Sequence, residues 1–275
     1  MIPGAFEYHR PGTVAAAAGL LSELGDEARL IAGGHSLIPM MKLRLAAPEH
    51  LVDLQDIEEL RGISVDGDTV TIGAMTTQHD LINNDALANA IPLVREAALQ
   101  IADPQVRYVG TVGGNVANGD PGNDMPGLMQ CLDASYELTG PTGTRSVTAR
   151  GFYESAYVTT RADEEILTRI TIPVPSARGH AYEKQKRKIG DYATAAAAVL
   201  VGGGQASVAM TNLADTPVWS ADAGTALASG DVDGCVAAML AAIDPGEDMK
   251  GPVEFKKHVA AVILRRAIAR AQERA

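Results

Sequence analysis

Residues 30–42 read LIAGGHSLIPMMK: an apolar run, two glycines, a His-Ser pair and a stretch able to open a helix. Upstream, Thr13 stands where a helix over 12–24 needs an N-cap, with Val14, Ala17, Leu20, Leu21 and Leu24 at helical spacing and Gly25 at the C-cap. Ala28–Ala32 then reads as a short strand running into Gly33-Gly34. Helix, strand, glycine loop, helix start is α/β organisation with the loop at a strand's carboxyl end.

Downstream, Leu51–Leu54, Gly62–Val65 and Thr69–Ala74 read as short strands, with a turn at Asp66-Gly67. A threonine at 76 or 77 is placed to cap a helix through Leu87, and Pro92–Ile101 reads as another helix with proline near its start. Arg107 to Asp120 is the stretch richest in glycine and asparagine and reads as a loop. Pro126–Leu132 is expected helical, and Ala134–Thr139 and Glu165–Pro173 are expected strands. Pro173 and Pro175 mark a boundary. Beyond it, Ala195–Val201 and Gln205–Asn212 form a hairpin around three glycines, 214–250 is acidic and loop-like, and Val253 to about Arg270 is an amphipathic helix with Val259, Val262, Ile263 and Ile268 toward the core. The expected units are 1–55, 56–176 and 177–275.

Composition excludes several functions. A formal net charge of -11 argues against nucleic acid, whose partners carry a basic footprint. The one basic cluster, Lys184 to Lys188, reads as a solvated face or a local anion site. Two cysteines, Cys131 and Cys235, cannot supply the four thiolates of an iron–sulfur cluster, and they read as buried thiols of a reducing compartment. No window approaches the roughly 18 apolar residues of a membrane span. The N-terminus has no secretory pattern, so a soluble cytoplasmic chain is expected.

Two stretches bear chemistry: Ala32-Gly-Gly-His-Ser36 and Thr111-Val-Gly-Gly-Asn115. Paired glycines let successive N–H groups converge on anionic oxygens and keep side chains out of the way. Ser36, Thr111 and Asn115 add side-chain donors, and a helix after Ser36 points its positive end at an anion. A Cβ at Gly33 or Gly114 is expected to fill the anion site. Neither a Walker GxxxxGK[ST] nor a GxGxxG fingerprint is present. Two loops outside both motifs suggest a flavin dinucleotide clasped by its diphosphate; the plain alternative is a pair of structural turns. His35 reads as a hydrogen-bonding loop residue. Asp120 and Asp124 read as turn residues or, for Asp124, as an acceptor for ribose hydroxyls. Tyr192 reads as ordinary packing or a flavin-ring contact. Lys184 reads as a surface cation or a neighbour of a reduced anionic ring.

These stretches resemble the FAD-binding medium subunit of the molybdenum hydroxylase family, the group that includes xanthine dehydrogenase. AGGHS at 32–36 and TVGGN at 111–115 match its two FAD loops; GDPGNDMP at 119–126, EILTRITIP at 165–173 and EKQKRKIGDYA at 183–193 match its following segments. The stretches IPGAFEYHRP, AGGHSLIPMMKLRLA, IGAMTTQHDLI and ANGDPGNDMPGLMQCL are similar to its aerobic carbon monoxide dehydrogenase branch. The resemblance implies an α+β protein: an FAD-binding fold of two small α/β subdomains, of the vanillyl-alcohol-oxidase-like type, then a C-terminal α+β domain with a three-stranded sheet and helices. It implies FAD contacts at Ala32, Gly33, Gly34, His35, Ser36, Leu37, Gly110, Thr111, Val112, Gly113, Gly114, Asn115, Asp124, Ile166, Leu167, Lys184, Asp191 and Tyr192; His9, His50, His79, His180 and His258 stand isolated and fit no metal spacing, so no metal is expected in this chain. It further implies a small subunit with two [2Fe–2S] clusters, a large subunit with a molybdenum–copper site, a dimer of heterotrimers, quinone as acceptor and contact with the inner face of the cytoplasmic membrane through the complex. The alternative host is another molybdenum hydroxylase, acting on an aldehyde, purine or aromatic carbonyl.

Overall fold

Short apolar runs alternating with capped helices produce a parallel sheet first. In the computed structural model, which describes residues 2–275, β1 (Glu7–His9), α1 (Val14–Leu24), β2 (Ala28–Ile31), α2 (Leu37–Leu43) and β3 (His50–Asp53) follow in order. The strands pair in parallel in the order β1-β3-β2. The Thr13 hydroxyl accepts from the Ala16 N–H at 3.1 Å, and Gly25 ends α1 at φ +55°, a conformation that favours glycine.

The middle of the chain forms β4 (Ile63–Asp66), β5 (Thr69–Gly73), α3 (Gln78–Asn83), α4 (Asp85–Ala90), α5 (Pro92–Ala98), α6 (Pro104–Val109), α7 (Val112–Ala117), α8 (Asp124–Cys131), β6 (Ser135–Gly140), β7 (Gly143–Thr148), β8 (Tyr153–Ser155), β9 (Val158–Thr159) and β10 (Ile166–Pro173). Its main sheet is antiparallel throughout, ordered β4-β5-β10-β6-β7. The helix expected to run through Leu87 stops at Asn83. Thr77 and Asp80 close a capping box at the start of α3, and Asn84 accepts from the Leu87 N–H at 2.8 Å to begin α4. The stretch 107–120, expected to be a loop, contains the end of α6 and all of α7. Thr111 supplies the cap that lets two glycines be helical.

The third sheet contains β11 (Gly179–Gln185), β12 (Ala195–Gly202), β13 (Gln205–Thr211) and β14 (Val218–Trp219), followed by α9 (Ala221–Ala228), α10 (Val232–Ala242) and α11 (Val253–Gln272). Three long strands are joined by a two-residue edge strand, so the sheet has four strands, one more than expected. In the β12–β13 hairpin Gly203 and Gly204 sit at φ +60° and +77°, the backbone of a type I′ turn. Residues 214–250 are not loop-like: Ser220 and Asp231, polar residues suggestive of a loop, are the N-caps of α9 and α10.

Packing ties the sheets together. Along β12, Ala196, Ala198 and Leu200 enter the core of the middle unit, while Ala195, Ala197 and Val199 enter the core under α9 to α11. Burial of both faces explains the unbroken apolar run, since strand side chains alternate. The core beneath α1 likewise includes Ile57, Leu60, Met75 and Ile166 from beyond residue 55.

Candidate functional site

The loop leaving β2, the capped start of α7 and the facing ends of β10 and β11 enclose a cavity of about 640 Å³. Ala32, Gly33, Gly34, His35, Ser36 and Leu37 line one side, and Gly110, Thr111, Gly113, Gly114 and Asn115 another. Asp124, Ile166, Leu167, Lys184, Asp191 and Tyr192 complete the expected set. Val112 is the exception. It is buried in the middle core, and its N–H donates to the Thr76 carbonyl at 2.9 Å, so this position does not face the cavity.

The two glycine segments do different work. Among the described residues, the N–H groups of Gly33, Gly34, His35 and Ser36 donate to no protein acceptor, and the Ser36 hydroxyl makes no capping bond. Gly34 stands at φ +70°, which turns the chain between strand and helix. In the second segment the N–H groups after Thr111 are already used. Gly113 donates to the Ala74 carbonyl at 2.9 Å, Gly114 to Thr111 Oγ1 at 3.1 Å and Asn115 to the Thr111 carbonyl at 3.1 Å. The run of unpaired N–H groups expected from both segments is therefore found in the first, with Thr111 alone unpaired in the second. The second contributes Asn115, whose Oδ1 is buried without a partner.

The glycines also serve a purpose other than the one expected. A Cβ at Gly33 would lie 2.8 Å from Gly110 Cα and against the Val109 carbonyl; one at Gly113 would lie 2.7 Å from the Ala74 carbonyl. At Gly114 it would lie 2.8 Å from Thr111 Oγ1 and 3.4 Å from Ala32 Cβ. These added atoms would meet protein: Gly33 lets the first segment pack against Gly110, while Gly113 lets α7 approach Ala74.

Lys184 departs from the solvated-face reading. Its side chain is 1% exposed; Nζ donates to Asp124 Oδ2 at 2.7 Å and the Gln100 carbonyl at 3.3 Å. Asp124 Oδ1 accepts from the Tyr182 hydroxyl at 2.6 Å. Burial first, and the Asp124 charge next, push the Tyr182 phenol well above its usual pKa. Asp124 is thus neither a turn residue nor a free acceptor, but the hub of a buried ion pair at the cavity wall. Lys184 spends its charge on that pair. The Tyr192 ring is half-exposed over Gly122, and burial with the nearby Asp120 charge raises its pKa. His35 is exposed and lines the cavity with no hydrogen-bond partner among the described residues, and Asp191 accepts from Arg187 Nε at 3.3 Å.

Comparison with known proteins gives this cavity a context. Residues 4–175 match the FAD binding domain in molybdopterin dehydrogenase, and residues 180–271 match the CO dehydrogenase flavoprotein C-terminal domain. The chain belongs to this flavoprotein family. It is 58% identical to the carbon monoxide dehydrogenase medium chain of Afipia carboxidovorans, covering 100% of this chain and 99% of that one. It is 45% identical to the corresponding medium chain of Hydrogenophaga pseudoflava over 98% of this chain and 97% of the other. Among solved structures, reconstituted CO dehydrogenase from Oligotropha carboxidovorans superposes with a TM-score of 0.96 at 57% identity, covering all of both chains.

For a flavoprotein of this family the orphaned polar atoms decide whether the residues present suit FAD. Gln78, at the first position of α3, is 2% exposed, lines the cavity, and leaves both side-chain amide atoms without a partner. Unsatisfied buried amides are costly. Together with Asn115 Oδ1 and the free N–H groups of 33–36 they form a polar surface awaiting acceptors and donors, beside apolar walls at Ile166 and Leu167. The volume lies within the usual range for small-molecule sites, and the set fits FAD. Arg29 and Arg161 also line the cavity. Arg161 Nη1 donates to the Ala162 and Glu165 carbonyls, both at 2.7 Å, and burial lowers its pKa against the opposing charges of Asp163 and Glu165. Sequence reading missed Gln78, Arg29 and Arg161. In TTQHD nothing separates a surface glutamine from an orphaned one, because burial is a tertiary property.

Proposed function

We propose that this flavoprotein is the FAD-carrying electron-transfer subunit of an aerobic carbon monoxide dehydrogenase. The observation that carries the reading is the set of unpaired N–H groups at 33–36 facing the orphaned Gln78 and Asn115 amides across one cavity. It lies in a chain that spans the whole length of a carbon monoxide dehydrogenase medium chain at 58% identity. In the proposed complex, CO and water become CO2, two protons and two electrons at the molybdenum–copper site of a large subunit. The electrons pass through the [2Fe–2S] clusters of a small subunit to this chain and leave to a quinone. Cys131 and Cys235 are both buried, in separate cores, and cannot build a cluster here.

FAD bound in the cavity supplies the conversion between one-electron delivery and two-electron release. The chain's residues bind and shield it. The N–H groups of 33–36 would hold the diphosphate, Gln78 and Asn115 would bond polar edges, Ile166 and Leu167 would exclude water, and the half-exposed Tyr192 would pack against the ring. The Lys184–Asp124 pair, held by Tyr182, is a neutral rigid wall, not a free cation beside the flavin. The assembly is a dimer of heterotrimers in the cytoplasm, meeting the membrane's inner face only through the complex; among the described residues no helix is long and apolar enough to cross a membrane.

Co-expression of this chain with its small and large partner subunits tests the reading. One FAD per chain and CO-dependent quinone reduction are expected. A flavin-free complex would sink the FAD assignment. A flavin-loaded complex silent with CO but active on an aldehyde or purine would move the same subunit to a different host.

A further inference from the structure

β1 and β3 bring three metal-ligating side chains together on the first sheet, away from the cavity. Parallel register sets Glu7 opposite His50, and His9 lies two residues along β1 on the same face as Glu7. His9 Nε2 is 3.1 Å from His50 Nδ1, and that nitrogen is 3.6 Å from Glu7 Oε2. One donor atom from each residue lies within 4.8 Å of the others. A tetrahedral ion with bonds of about 2.0–2.1 Å separates its donors by roughly 3.3–3.4 Å, and the two short distances bracket that spacing.

The surroundings complete the pattern. The second nitrogen of His50, Nε2, is 4.0 Å from Glu27 Oε2. A small rotamer change of this exposed carboxylate would let it accept from Nε2, the contact that fixes a ligating imidazole's tautomer and raises its basicity. The His50 side chain is 15% exposed, whereas Glu7 is 75% exposed, so the site is walled on one side and open to water on the other. Tyr8, between the two β1 ligands, turns to the opposite face and bonds Asp53, which holds the strand in register. None of these residues lines the cavity.

We propose that Glu7, His9 and His50 bind a borderline divalent cation, with Zn2+ the best fit, water filling the fourth position. Two imidazoles and one carboxylate select Zn2+, Co2+ or Ni2+ over Mg2+ or Ca2+, which take oxygen ligands. The ion clips the three-residue edge strand β1 to the central strand β3, strapping the N-terminal segment to the sheet.

The test uses the full chain without an affinity tag. Equilibrium dialysis against Zn2+ should give one bound equivalent, and Co2+ should give the intense visible bands of a tetrahedral site. His9→Gln and His50→Gln should each weaken binding by about 100-fold or more, and Glu27→Gln by about 10-fold. FAD content should be the same in all three variants, and amide exchange at Glu7 to His9 should slow when Zn2+ is added. Absence of a stoichiometric equivalent, a purely octahedral Co2+ spectrum, or unchanged binding in both histidine variants would overturn the proposal. Unchanged exchange with Zn2+ bound would remove the clip.

Discussion

Gly33→Ala should separate the two segments that frame the cavity, by an amount that can be worked out. The new Cβ would lie 2.8 Å from Gly110 Cα and against the Val109 carbonyl. Carbon atoms rest about 3.5–4.0 Å apart, so the backbone at 109–110 must retreat by roughly 1 Å. Backbone cannot swing aside as a side chain can. Overpacking of this kind costs about 1–3 kcal/mol. At about 2.1 cal/mol/K per residue the unfolding entropy of a chain this long is roughly 0.6 kcal/mol/K, so Tm should fall by about 2–5 °C. FAD affinity should fall further. Hydrogen bonds to a charged group contribute about 1.5–3 kcal/mol each. A 1 Å shift that breaks two of them costs about 3–6 kcal/mol, or roughly 10²- to 10⁴-fold in Kd. Flavin absorbance per chain after gel filtration and calorimetric titration of FAD into apo-protein read the affinity; a melt of the apo-protein reads Tm. Gly12→Ala, where nothing lies within 4 Å, is the control and should match wild type in both. A Gly33→Ala protein with wild-type FAD affinity would refute the close-packing account of this glycine.

Lys184→Met removes the cation from a side chain 1% exposed and strands Asp124 in the wall, at a cost of about 3–5 kcal/mol by urea unfolding. Adding Asp124→Asn should recover most of the loss; a single variant losing under about 1 kcal/mol would show the pair to be solvated. Gln78→Met deletes an orphaned amide, so apo-protein should gain about 1–2 kcal/mol while FAD affinity drops about tenfold. Unchanged values for both would mean that Gln78 finds partners without the cofactor. Burial raises the Cys131 thiol to about 12 and Cys235 to about 11, from an ordinary 9.0. The folded chain therefore keeps those protons after the unfolded chain loses them, and this contribution to stability is whole below pH 9 and declines as pH rises toward 11–12. At pH 8 a thiol reagent should modify neither cysteine in the folded protein and both in urea; rapid labelling of either under native conditions would contradict their burial.

The sequence by itself determined a great deal. Thr13, Thr77 and the paired Gly203-Gly204 set their cap and turn geometries locally, because cap hydroxyls and φ > 0 turns need few distant neighbours. The family resemblance in AGGHS and TVGGN, and the exclusion of an iron–sulfur cluster by two cysteines, also needed only the residues in order. Tertiary structure decided what those residues do. Thr111 caps a helix and engages the Gly114 and Asn115 N–H groups, while the missing side chain at Gly33 makes room for Gly110 and leaves the Gly33 N–H toward the cavity unpaired. Lys184, inside a basic run that reads as surface, is buried because β11 delivers it to Asp124, sixty residues earlier in the chain. Gln78, His9 and His50 acquire meaning only when strands and helices far apart in sequence meet. The division is physical. Caps and turns are settled by hydrogen bonds within a few residues, whereas burial, ion pairing and ligand geometry depend on which distant atoms exclude water from a side chain, and no local pattern encodes that.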